Sequence, residues 1–209
     1  MIPLENNEIP IFPLPLVALP GCRLPLQIFE PRYLDMVKFC MAQNSPFGVM
    51  TIDVSGSGKG PYEPAMMPVG TTVRIVDFHE QANGLLGIVC QGEGKCVFSS
   101  TRLAADNLLV GSANILAAEP IEPVPSDFEE LVDILQTLFE HPYVRALGYP
   151  DHGDRDAWAA CASRLSFYLA YLLPLPLEQR YTMLAYTNAC DRLAALQTFI
   201  DDINGYDNH

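Results

Sequence analysis

The segment Asp151-His152-Gly153-Asp154-Arg155-Asp156 gathers three carboxylates around one imidazole, an oxygen-rich donor set of the kind a divalent cation takes. The plainer reading is preferred: an exposed loop whose Asp154 caps a following helix, with a cation at this loop left open. Gly58-Lys59 looks like the end of a phosphate-binding loop. The pattern GxxxxGK[ST] needs glycine at position 53 and a hydroxyl at position 60, where Asp53 and Gly60 stand. Lacking both the backbone cradle and the magnesium-binding hydroxyl, Ser55 to Gly60 reads as a solvated turn. No serine motif surrounds Lys38, Lys59 or Lys95, and no GxSxG elbow supports a Ser/His/Asp order. Cys22, Cys40, Cys90, Cys96, Cys161 and Cys190 lie scattered in apolar patterns without CxxC or matching histidine spacing, which predicts reduced, mostly buried thiols. His79 and His141 stand alone and read as solvated or satisfied side chains.

The elements that must position these groups divide at Pro120-Ile121-Glu122-Pro123-Val124-Pro125, a proline-rich connector that continues neither a ladder nor a helix. Before it, strands are expected at Ile9 to Val17, Leu24 to Phe29, Phe47 to Asp53, Thr71 to Phe78, Leu85 to Cys90, Lys95 to Leu103 and Leu108 to Ala117. Asn83-Gly84 is a two-residue hairpin signal, because both residues tolerate positive φ. Many short strands with tight turns argue for a small curled sheet or barrel, interrupted by one helix from Pro31 to about Gln43. After the connector the period lengthens to nearly four. Ser126 and Glu129 form a capping-box pattern ahead of a helix from Asp127 to Glu140. Asp154 precedes a second helix that Pro174 stops. Two more are expected at Leu177 to Tyr186 and Ala189 to Ile203, the last capped by Asn188. The expected domains are 1–120, β-rich, and 121–209, a four-helix bundle packed on it.

The chain has 209 residues, 49% hydrophobic and 18% charged, enough to bury a sizeable core. Its net charge of −13 is uneven: residues 1–120 hold seven Lys/Arg against eleven Asp/Glu, and residues 121–209 five against fourteen. A surface of this sign repels phosphate backbones and anionic headgroups, so neither nucleic acid nor a membrane surface is an expected partner. Met1-Ile2-Pro3-Leu4-Glu5 lacks the basic start of a signal peptide, and prolines and charges interrupt every long apolar run, so the expected location is the cytoplasm.

Several segments carry a family likeness. Phe12-Pro13-Leu14, Leu19-Pro20-Gly21, Leu24-Pro25-Leu26, Ile28-Phe29-Glu30-Pro31-Arg32-Tyr33-Leu34 and Ser45-Pro46-Phe47-Gly48-Val49 follow one another closely. Val69 to Val76 and Gly92-Glu93-Gly94-Lys95-Cys96-Val97-Phe98 come later, and Leu172-Leu173-Pro174-Leu175-Pro176-Leu177-Glu178 closes the series. In order and approximate spacing these resemble the Lon substrate-binding domain, the N-terminal module of ATP-dependent Lon proteases, also found as free-standing bacterial proteins. The likeness covers almost the whole chain and is densest over residues 9–50. It implies an α+β fold, a PUA-like pseudo-barrel of the Lon N-domain type followed by a helical bundle, with residues 92–98 as a hairpin carrying a basic residue near its turn.

The resemblance also implies a noncatalytic polypeptide-recognition module, without cofactor or metal, that binds exposed apolar segments of unfolded or partly folded clients. Phe12, Leu14, Leu16, Glu30, Arg32 and Tyr33 are the candidate contacts. Phe29, Leu34, Phe47 and Val49 are expected in the core, and Glu30 and Arg32 are expected to pair locally at the corner. Two other roles stay open: a regulatory adaptor of a separate ATP-dependent protease, and a small-molecule or enzymatic role in a pocket between the two domains. Client identity and oligomeric state are not encoded in any motif.

With neither a phosphate loop nor a serine–lysine pair, the purified protein is expected to hydrolyse no ATP and to cleave no casein. ATP turnover that survives several columns and vanishes in Lys59→Ala would contradict this.

Overall fold

The computed structural model describes Leu4 and residues 8–81, 84–146 and 155–206. Backbone contacts divide the chain into two compact units, Met1–Ala118 and Glu119–His209. The first contains β1 (Glu8–Leu14), β2 (Arg23–Ile28), α1 (Pro31–Gln43), β3 (Phe47–Thr51), β4 (Val69–Glu80), β5 (Leu86–Leu103) and β6 (Leu109–Ile115).

These strands form one sheet in the order β2-β5-β4-β3-β1-β6, and β6 also pairs with β5, so five strands close into a ring with β2 attached to one half of β5. Only β1 and β3 run parallel. The connection between them passes through β2 and α1, as a parallel crossover requires. Alternation along the strands sorts side chains onto two faces. Phe12, Val49 and Val110 face a main core with Phe47, Val73, Ile88, Leu108 and the buried stripe Tyr33, Met36, Val37 and Cys40 of α1. Their neighbours Ile11, Met50 and Leu109 form a second small cluster, against which Met66 and Phe98 pack.

Pro31 opens α1 with its fixed φ, and Asn44 ends it in the left-handed region at φ 48°, where its N–H reaches the Cys40 and Met41 carbonyls. The turn from β4 to β5 has Gly84 at φ 76°, with its N–H on the Gln81 carbonyl at 2.8 Å. Asn83 lies outside the described residues.

The expected hairpin at residues 92–98 does not form. Gly92-Glu93-Gly94 lies inside one 18-residue strand, β5. Gly92 serves a close approach instead of a turn: Gly21 N–H donates to the Gly92 carbonyl and Gly92 N–H to the Cys22 carbonyl, both at 3.0 Å. A Cβ on Gly92 would strike the Leu19 carbonyl. Opposite, the register shifts between Thr72 and Val73, which face Gly94 and Gly92, so the glycines also mark a bulge. The partner on the other edge changes here, from β2 up to Gln91 to β6 from Cys96 onward.

All six cysteines are free thiols; Cys22, Cys40, Cys90 and Cys96 are buried in the sheet unit, and Cys161 and Cys190 are partly exposed. Burial raises the Cys40 thiol to about 11 and those of Cys90 and Cys96 to about 12.

The second unit is helical: a 3₁₀ turn (Ser126–Phe128), then α2 (Glu129–Glu140), α3 (Pro142–Ala146), α4 (Arg155–Ala159), α5 (Ala162–Leu172), α6 (Leu177–Ala185) and α7 (Ala189–Tyr206). Helix α5 packs against α2, α4, α6 and α7. Three expectations fail here: six helices are described where four are expected, and two local signals mislead. The capping box is absent, because the 3₁₀ turn gives the first N–H groups backbone partners: Phe128 N–H donates to Pro125 and Glu129 N–H to Ser126. The helix expected to run unbroken to Pro174 divides at Ala160-Cys161. The connector is bonded into that break, with Val124 N–H on the Ala159 carbonyl and Ala162 N–H on the Glu122 carbonyl, each at 2.8 Å. Asp154 lies outside the described residues. Asn188 does cap α7, its Oδ1 accepting from Cys190 N–H at 2.7 Å. Among the described residues, no helix is long and apolar enough to cross a membrane.

Arg192 on α7 is fully buried. Its Nη2 donates to Glu119 Oε2 at 2.6 Å, its Nη1 to Oε1 at 3.2 Å and its Nε to Ser166 Oγ at 2.8 Å, while the Phe167 ring lies 3.8 Å from the guanidinium carbon. Ser163 Oγ adds a bond to Glu119 Oε2 at 2.8 Å. Removing one partner leaves a buried charge exposed to low dielectric, so Arg192→Met is expected to cost about 3–5 kcal/mol. Adding Glu119→Gln to it should recover part of that loss. Urea denaturation followed by far-UV circular dichroism measures both; a single variant as stable as the wild type would contradict the assignment.

Candidate functional site

A cleft of about 300 Å³ opens in the sheet unit where two strand edges diverge. β1 pairs with β6 through Glu8 to Ile11 and with β3 through Ile11 to Leu14, so among the described residues Phe12 to Leu14 has a strand on one side only. Among the described residues β2 pairs with β5 alone. Phe12, Pro13 and Leu14 of β1 and Leu26, Gln27 and Ile28 of β2 line the cleft. The Phe12 ring stacks on Tyr33 with centroids 3.9 Å apart, and both residues are buried together with Ile28. Phe29, Glu30, Ile52, Pro61, Tyr62 and Pro64 complete the lining.

Arg32 organises this corner. Its Nε and Nη2 donate to Glu30 Oε2 at 2.9 and 2.7 Å, and its Nη1 donates to the Asn107 carbonyl at 2.9 Å. Asn107 adopts φ 63° in the turn between β5 and β6, a conformation asparagine tolerates. The guanidinium carbon also lies 4.5 Å from the Tyr33 ring centroid and 4.9 Å from that of Tyr62. One side chain therefore joins α1, the β5–β6 turn and the segment carrying Tyr62. Burial raises the Tyr33 phenol above its ordinary value, with Arg32 opposing and Glu30 adding to the rise, so the ring remains neutral near pH 7.

The segment with Tyr62 is a folded-back loop. Ile52 bridges Met66, and Asp53 N–H donates to the Ala65 carbonyl at 2.9 Å. The Asp53 carboxylate accepts from Ser55 Oγ at 2.6 Å, Ser55 N–H at 2.9 Å and Gly56 N–H at 3.1 Å, bonds that hold its pKa below the ordinary carboxylate value. Lys59 pairs with Glu63 at 2.7 Å on this exposed turn.

Of the six residues singled out in the sequence, Phe12, Leu14, Glu30, Arg32 and Tyr33 line this one cleft. Leu16 does not; it is partly buried against the main core, and its carbonyl accepts from Thr51 Oγ1 at 2.9 Å. Phe29, expected in the core, is instead 65% exposed. β2 buries Leu24 and Ile28, and alternation turns the following residue outward. That signal was present in the sequence. Tyr62 had none, since only the fold-back of residues 52–66 brings it beside Arg32. Residues 151–154 of the acidic loop lie outside the described residues; Arg155 pairs with Asp133 at 2.7 Å.

Comparison with known proteins gives a consistent result. The family model for the ATP-dependent protease La (LON) substrate-binding domain matches residues 8–202. The crystal structure of a Lon N-terminal domain protein from Xanthomonas campestris is similar with a TM-score of 0.70 and 28% identity, over 91% of this chain and 97% of that one. The N-terminal domain of Mycobacterium avium complex Lon protease shares the fold, with a TM-score of 0.66 at 14% identity over 93% and 98%. No curated protein sequence matches the chain.

Because Arg32 anchors Tyr62, Arg32→Ala should loosen the 52–66 loop. A cation–π contact of about 1 kcal/mol corresponds to a roughly five-fold change in local opening. Trypsin should then cut after Lys59 several-fold faster than in the wild type; an unchanged cleavage rate would show that the loop holds itself.

Proposed function

Because the chain belongs to the ATP-dependent protease La (LON) substrate-binding domain family, we propose that it is a noncatalytic polypeptide-recognition module whose cleft beside β1 and β2 receives apolar side chains of protein clients. The observation that carries this reading is the cleft itself. Aliphatic and aromatic side chains dominate its lining, and Phe29 and Tyr62 stand 65% and 44% exposed at its rim. Apolar groups gathered at a concave surface gain by excluding water from a matching side chain.

The polar groups present favour binding over catalysis. Arg32 is committed to Glu30, Asn107 and two rings, and the Tyr33 phenol is held neutral. Lys38 and Lys59 pair with Asp35 and Glu63 at the surface.

Each well-buried apolar side chain contributes roughly 1.5–3 kcal/mol, whereas exposed charges are screened beyond about 8 Å at physiological salt. Binding of a labelled, extended apolar peptide, followed by fluorescence anisotropy, should therefore persist as salt rises. Phe29→Asp should weaken it about ten-fold or more without loss of fold, since that side chain is already largely in water. Binding that disappears at high salt, or that ignores Phe29→Asp, would overturn this reading.

A further inference from the structure

The rim of the cleft is selective in a way its apolar walls are not. Glu30, 39% exposed in its side chain, uses only Oε2 to accept from Arg32; among the described residues Oε1 has no donor. Among the described lining residues the only cation is Arg32, 14% exposed, with three hydrogen bonds made and two rings within 4.9 Å of its guanidinium carbon. An incoming anion therefore finds no available counter-charge. An incoming cation finds a carboxylate oxygen and the exposed rings of Phe29 and Tyr62, whose π faces attract positive charge. The surrounding unit has the same sign, with seven Lys/Arg against ten Asp/Glu over residues 1–118.

The strand edges limit how a peptide can be held. Pro13 on β1 and Pro25 on β2 each lack the N–H that a continuous main-chain ladder needs. Recognition then falls to side chains instead of an added strand.

We infer that the cleft takes a segment in which one bulky apolar side chain adjoins a lysine or arginine. The apolar group seats between β1 and β2, and the cation lies against Phe29, Tyr62 and Glu30. This rests on the polypeptide-binding reading above and adds the chemistry of the neighbouring residue.

The test uses the full chain and labelled peptides that differ only beside a central phenylalanine, carrying arginine, glutamine or glutamate there. A fourth peptide has the arginine but alanine in place of phenylalanine. Affinity should fall in the order arginine, glutamine, glutamate, with about a five-fold span between the extremes. That span should shrink toward one in Glu30→Gln and narrow in Phe29→Leu. Equal affinities for the three phenylalanine peptides overturn this inference while leaving the apolar reading intact. An alanine peptide that binds as tightly as its phenylalanine counterpart overturns it too, because the acidic chain is then attracting any cation. Failure of every peptide to bind overturns both.

Discussion

One strand with three partners governs the sheet unit. At about 3.3 Å per residue, the 18 residues of β5 would extend roughly 60 Å, about twice the diameter of a small domain, so the strand has to bend. It does so around Gly92 and Gly94, where the Leu19–Cys22 turn presses against it and the register with β4 slips. On one side of that point β5 holds β2, and on the other it holds β6. Because β6 then closes onto β1 while β2 does not, the second edge of β2 and the end of β1 have no strand partner among the described residues. The cleft is a product of that divided pairing.

Electrostatics completes what the strand pairing leaves open. Arg32 could have been an anion-binding group, since a guanidinium suits carboxylates and phosphates. The fold spends it on architecture, and the cleft gains an aromatic wall from a loop whose base is closed by the Ile52–Met66 bridge and whose Tyr62 meets the guanidinium. The helical unit uses the same device in a dry setting: Arg192 binds Glu119, two serines lie within the network, and Phe167 covers the guanidinium. In both places a planar cation joins segments far apart in sequence.

Local physics was largely legible from residue order. Pro31 and the apolar spacing of residues 34–41 marked α1, alternation marked the strands, and Asn188 marked the start of α7. The failures came where other backbone contacts, mostly tertiary, outvoted local preference. Gly92-Glu93-Gly94 has turn composition, yet Gly92 answers to the backbone of Leu19 and Pro20. Ser126 and Glu129 have capping spacing, yet a 3₁₀ turn satisfied the N–H groups first. The break at Ala160-Cys161 depends on peptide groups from Glu122 and Val124, which no helical periodicity could foretell. The cleft was half legible. Phe12, Glu30, Arg32 and Tyr33 stood out through proline and charge placement, whereas Tyr62 arrives through a loop whose fold-back leaves no pattern in the chain.

The distribution of sulfur has a practical consequence. Four of the six thiols lie buried inside the sheet unit, where desolvation raises their pKa values and holds them protonated. Those four are chemically silent while the sheet is closed and become ordinary nucleophiles when it opens. The rate at which an alkylating reagent adds mass to Cys22, Cys40, Cys90 and Cys96 is thus a built-in clock for the breathing of the sheet unit. Cys161 and Cys190, partly exposed in the helical unit, provide a faster reference within the same molecule.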